Sequence, residues 1–119
     1  VRIVVRFNGD VAILSLSGKF LAGSDGPYLR QKVKDLMDAG TKKLMIDFSD
    51  VPYIDSTGLG FLAGARVTAQ NAGARIVLAN INTHVRKILD DVNLTQFFVV
   101  AGSEAAAMAL LEPPTGAGD

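Results

Sequence analysis

A single α/β domain, with a mixed and mostly parallel sheet of about five strands and four helices, is the fold class this 119-residue sequence predicts. Three observations carry that expectation. Segments of period 2 open the chain around Asn8-Gly9, a dipeptide typical of antiparallel hairpins. Short, uniformly apolar segments then alternate with amphipathic segments of helical period, the pattern of parallel strands joined by right-handed crossovers. The composition, 49% hydrophobic and 20% charged, is that of one globular domain able to bury its own core.

Each element has a local reason. Arg2 to Phe7 places Ile3, Val5 and Phe7 on one face and Arg2 and Arg6 on the other, as a half-exposed strand does. Asn8-Gly9 suits a type I′ turn, and Val11–Ser17 is the return strand. Past Gly18, Ser24 or Asp25 can cap a helix that accepts Pro27 in its first turn. Leu29, Val33, Leu36 and Met37 give that helix its apolar stripe, and Gly40 closes it. Leu44-Met45-Ile46 is too uniformly apolar for a surface strand and reads as buried. A second helix runs from about Ser56 to Asn71 and ends at Gly73. Arg75–Ala79 is a further buried strand. Val85, Ile88, Leu89 and Val92 mark a third helix, with Asn93 suited to its left-handed cap. Phe97–Val100 is the last strand, and Ser103 starts an Ala-rich helix to about Leu111. The domain thus spans residues 1–111, and 112–119, rich in Pro and Gly, are expected to be a disordered tail.

Composition removes several classes of function. There are 12 basic and 12 acidic residues, a net charge of zero, which argues against a general binder of nucleic acid or of anionic membranes. No cysteine is present, so disulfides, thiolate metal sites and thiol catalysis are excluded. His84 is the only histidine. The longest apolar runs, Ala105–Leu111 and Phe97–Ala101, fall far short of the roughly 20 residues of a membrane span. No charged-then-apolar leader opens the chain, and the expected location is cytoplasmic.

Functional residues of α/β sheets gather beyond the carboxyl ends of the strands, which directs attention to Phe48–Gly60. Asp55 or Ser56 can cap the second helix there. Gly58, Gly60 and Gly64 weaken a purely structural reading, because each costs about 1 kcal/mol of helix stability relative to Ala. Such a run needs another reason, usually close approach by a backbone or a ligand. Phe61, Leu62, Ala65 and Ala69 form one stripe of the helix, expected to face the sheet. Gly60, Ala63, Gly64 and Val67 form another, available either to a neighbouring helix of this chain or to a partner.

At Asp55-Ser56-Thr57-Gly58-Leu59-Gly60 the sequence resembles the signature of the anti-sigma factor antagonists of the STAS domain family. The resemblance runs from about Arg2 to Leu111 and takes in the Gly18 bend, Leu44–Phe48 and Val85–Leu89. It implies a STAS-like fold and a protein that acts by switching partners. In the family, the residue after the Asp is phosphorylated by a serine kinase that is itself the anti-sigma factor. Carried onto this chain, that residue is Ser56. Unphosphorylated, the chain would bind the kinase and so release a sigma factor; phosphorylated, it would let go, and a phosphatase would reset it. ATP belongs to the kinase, so no cofactor is assigned to this chain. Taken with the exposed stripe of the second helix, the expected partner surface is Asp55, Ser56, Thr57, Gly58, Gly60, Ala63, Gly64 and Val67. Two loops depart from the family pattern. Lys19–Gly23 is about one residue longer, with its acid only at Asp25, and Asn80–His84 has no Pro.

Other residues admit other readings. The same fold can serve as a scaffold subunit of a larger signalling or transport assembly. Asp47, Asp50 and Asp55 lie near one sheet edge, where a carboxylate cluster could hold Mg²⁺ in an enzyme. No glycine-rich phosphate loop accompanies them, and Asp is common in turns and caps. His84 reads as a polar surface residue, and Tyr28 and Tyr53 as packing or interface anchors. The pairs Lys42-Lys43 and Arg86-Lys87 read as solvated.

Overall fold

In the computed structural model, which describes residues 2–19 and 25–111, the elements follow the expected order. They are β1 (Arg2–Asn8), β2 (Val11–Ser17), α1 (Asp25–Asp38), β3 (Lys43–Asp50), α2 (Ser56–Asn71), β4 (Arg75–Ala79), α3 (Thr83–Asp91), β5 (Val99–Ala101) and α4 (Glu104–Leu111). One sheet of order β1-β2-β3-β4-β5 forms, antiparallel between β1 and β2 and parallel at every other pairing. No helix among the described residues is long and apolar enough to cross a membrane. The expected caps at Ser24 and the Asp25 side chain, and the tail from 112 to 119, lie outside the described residues.

The alternation of apolar residues sorts each strand between two cores. Leu14, Leu44, Ile46, Phe48, Ile76 and Leu78 bury against Leu29 and Val33 of α1, Leu62, Ala65 and Ala69 of α2, and Val85 and Leu89 of α3. The opposite face, through Val11, Ile13, Met45, Val77 and Ala79, is covered by Ala107 and Leu111 of α4. Parallel neighbours buried on both faces explain why β3 and β4 read as continuous apolar runs. The β3 strand extends beyond the expected Leu44–Ile46 to Asp50, because β2 continues to pair with it there.

The hairpin differs in its turn. Asn8 pairs with Val11, so the two loop residues are Gly9 and Asp10 rather than Asn8 and Gly9. Gly9 has φ +61° while Asp10 is not left-handed, the requirement of a type II′ turn, which wants glycine first. The last strand also starts later than Phe97. Residues 95–98 turn instead, with the Phe97 N–H donating to the Leu94 carbonyl at 3.0 Å, and pairing to β4 begins at Val99. Asn93 takes the left-handed conformation expected of it, φ +60°, and the Leu94 N–H closes α3 on the Leu89 carbonyl at 2.8 Å. Lys42, Arg86 and Lys87 are exposed as expected and Lys43 is half-buried; Lys42 donates to the Ala72 carbonyl at the end of α2, Lys43 pairs with Asp10, and Lys87 with Asp91.

Candidate functional site

The parallel crossover from β3 brings residues 51–55 to the carboxyl edge of the sheet, and α2 departs from there. Val51 and Ile54 are fully buried and anchor this loop to the core. Asp55 is the cap of α2: its backbone is extended (φ −89°, ψ 170°), and Oδ1 accepts from the Gly58 N–H at 2.5 Å. Its carbonyl accepts from the Leu59 N–H at 3.0 Å. The sequence left Asp55 and Ser56 as alternative caps, and the geometry selects Asp55. Ser56 and Thr57 are consequently exposed at the first turn of the helix, with the Ser56 hydroxyl outside the capping hydrogen bonds.

The α2 surface beyond them divides as the sequence pattern implies except at two positions: Phe61 lies against Gly26 of α1 and lines the groove instead of facing the sheet, and Ala63 packs on the core. Leu62, Ala65 and Ala69 are buried toward the sheet, and Phe61 is half-buried. Gly60, Gly64 and Val67 are exposed, Val67 to 45%. Ala63 is half-buried against the core and Gly58 is buried beneath the first turn. A Cβ at Gly60 or Gly64 would meet nothing within 4 Å, so no neighbour in the described chain demands those glycines. Gly26 on α1 is the opposite case: a Cβ there would overlap the Phe61 ring, so this is where the two helices need close approach. Between α1 and α2 an open groove of about 540 Å³ remains, lined by Arg30, Thr57, Gly60, Phe61, Gly64, Val67 and Thr68. Arg30 is its one charged lining residue among those described.

Two connections that sequence reasoning missed tie the loop to α3. Asn82 caps α3 through Oδ1, which accepts from the Val85 N–H at 2.8 Å, and its Nδ2 donates to the Val51 carbonyl at 3.0 Å. Tyr53 and His84 stack, ring centroids 5.2 Å apart and planes 25° from parallel, so His84 is part of this end of the molecule. An Asn three residues before Val85 was a visible capping signal; its second partner, 31 residues away in sequence, was not.

The three carboxylates weighed as an enzyme site are not brought together. Among the described residues no group of three His, Cys, Asp or Glu side chains could hold a metal ion. Asp55 is engaged as a cap and Asp50 is exposed at the end of β3. Asp47 accepts from Asn80 Nδ2 and the Ser49 N–H, each at 3.0 Å. Burial alone would raise its carboxyl, but the hydrogen bonds from Asn80 and Ser49, with the charge of Arg6, outweigh that and hold it below the ordinary carboxylate range. The bonds tie together the ends of β3 and β4, at an Asn80 held in the left-handed region (φ +61°).

The chain is similar in sequence and in fold to known proteins. The anti-sigma-B factor antagonist of Listeria monocytogenes is 28% identical over 89 residues, covering 71% of this chain and 78% of that protein. The anti-sigma-B factor antagonist of Bacillus subtilis is 29% identical over 94 residues, covering 79% and 84%. Among solved structures, the anti-sigma factor antagonist SpoIIAA of Bacillus superimposes in its unphosphorylated form with a TM-score of 0.70 at 18% identity, covering 92% of this chain and 96% of that one. Its phosphorylated form superimposes with the same TM-score. The STAS domain model matches residues 2–107, and the chain belongs to that family.

Proposed function

We propose that this chain is a phosphorylation-gated anti-sigma factor antagonist. Unphosphorylated, it binds an anti-sigma factor that is a serine kinase and thereby releases a sigma factor. Phosphorylation of Ser56 by that kinase ends the binding, and a phosphatase restores it. One observation carries the reading: Asp55 caps α2, which leaves the neighbouring Ser56 hydroxyl exposed and outside the capping bonds. The relatives named as anti-sigma-B factor antagonists support the same role.

The chemistry follows from the position. A phosphate on Ser56 adds about −1.5 to −2 charges beside the positive end of the α2 dipole, where the fold tolerates it. A docked protein does not tolerate it, because the charge and volume fall within the contact surface. That surface is Ser56, Thr57, Gly60, Gly64 and Val67, with Asp55, Gly58 and Ala63 supporting it from beneath or beside. The switch thus acts on binding and leaves folding alone. Titrating phosphorylated and unphosphorylated chain into the purified kinase with nucleotide tests this. The unphosphorylated form binds more tightly by an order of magnitude or more. Equal affinities, with both forms folded, end the switch and leave the chain a scaffold subunit with Ser56 as an ordinary first-turn serine.

A further inference from the structure

We propose that Asn82 and His84, in and just before the first turn of α3, are positioning residues for the Ser56 hydroxyl: they strap the β3–α2 loop to α3 and so fix where α2 begins. The proposal rests on the reading of Ser56 as the phosphate acceptor. Within the loop, Val51 and Ile54 are held by burial, but Pro52 and Tyr53 between them are exposed. The directional contacts from this stretch to α3 are those of Asn82 and His84. Asn82 uses both ends of its amide, accepting from the Val85 N–H at 2.8 Å and donating to the Val51 carbonyl at 3.0 Å. Its orientation is forced. An acceptor must face the Val85 N–H, so the NH₂ group must face Val51. Two residues on, His84 lies over the Tyr53 ring. Two points of the loop are therefore fixed to one helical turn, and Ser56 follows Tyr53 by three residues. Phosphoryl transfer needs the acceptor oxygen in line, and misplacement by about 1 Å costs on the order of 10²-fold in rate.

Asn82→Asp separates the strap from the cap. A carboxylate still accepts from the Val85 N–H, so α3 keeps its cap, yet it cannot donate to Val51. His84→Ala removes the stack, and His84→Phe keeps it. The readout on the isolated chain is amide hydrogen exchange at Gly58 and Leu59, which donate to Asp55, and at Arg86, which donates to the Asn82 carbonyl in the first turn of α3. Exchange at Gly58 and Leu59 rises roughly tenfold in Asn82→Asp, the weight of one hydrogen bond, and a few-fold in His84→Ala. Arg86 stays unchanged, and His84→Phe behaves like the parent. No change at Gly58 and Leu59, or an equal rise at Arg86, overturns the strap. A second arm follows labelled phosphate from ATP into Ser56 in a lysate of the source cell, with Ser56→Ala as the blank. Incorporation slows in Asn82→Asp in step with exchange; equal rates overturn the positioning role. If the parent takes up no label while the exchange effect is present, the acceptor reading fails and the strap stands.

Discussion

Filling the exposed glycines of α2 should stabilise the fold and weaken docking. Gly60 and Gly64 lie in the helix interior, and a Cβ at either meets nothing within 4 Å. Replacing glycine with alanine in an exposed helix gains about 1 kcal/mol, since the unfolded chain loses freedom and the helix loses none of its packing. Gly64→Ala should therefore raise stability by about 0.5–1 kcal/mol, and the pair with Gly60→Ala by about twice that. For a domain of this size each kcal/mol moves the Tm by about 4 °C. Urea unfolding measures the gain as a higher midpoint at unchanged slope. Gly26→Ala is the built-in control with the opposite sign. Its Cβ overlaps the Phe61 ring, so the cost is about 1–3 kcal/mol. Under the proposed function, affinity for the kinase partner proposed above should fall in Gly60→Ala and Gly64→Ala despite their greater stability, because the methyl groups enter the open groove. If both variants unfold more easily than the parent, the space above α2 is occupied within this chain and the groove is not a docking surface.

Three further outcomes follow from the geometry. Asp55→Ala should cost about 0.5–2 kcal/mol in chemical denaturation by removing the α2 cap, while Ser56→Ala costs less than about 0.5 kcal/mol; the reverse order would make Ser56 the cap. The folded-state carboxyl of Asp47 is held below its ordinary value, so its contribution to stability is complete above the unfolded value of about 3.9 and is lost as pH falls through the lower folded one. Urea midpoints of the parent and Asp47→Asn, measured from pH 6 to pH 2, should accordingly converge at the acid end, whereas a constant gap would deny the shift. Gly9→Val should destabilise the hairpin through its left-handed φ of +61°, and loss of cross-strand nuclear Overhauser contacts between Phe7 and Ala12 would report it.

The resemblance and the periodicity made the fold, and the start of α2 at Ser56, legible in the sequence. Alternating apolar and amphipathic stretches give the order of strands and helices, because burial on one or two faces imposes its period on the chain. The ends of α2 and the left-handed cap at Asn93 were readable for the same reason, since capping and chirality act over a few residues. Short-range signals failed where two local solutions were close in energy. Asn8-Gly9-Asp10 can turn at either dipeptide, and the register of β1 on β2 chose Gly9-Asp10. Phe97 and Phe98 look like strand, but pairing had to wait until the chain met β4 at Val99.

What the sequence by itself determined is the arrangement of elements and the place of Ser56 at the start of α2, both consequences of local pattern. Only the tertiary structure decided between Asp55 and Ser56 as cap, because the two differ by which side chain the loop conformation aims at the Gly58 N–H. It alone divided the glycines into one that α2 presses against, Gly26, and two that face open space. It also joined Asn82 to Val51 and His84 to Tyr53 across some thirty residues. Hydrogen bonds and van der Waals contacts decay within a few ångströms, so residues far apart in sequence acquire such partners only when the sheet has brought their loops to one edge.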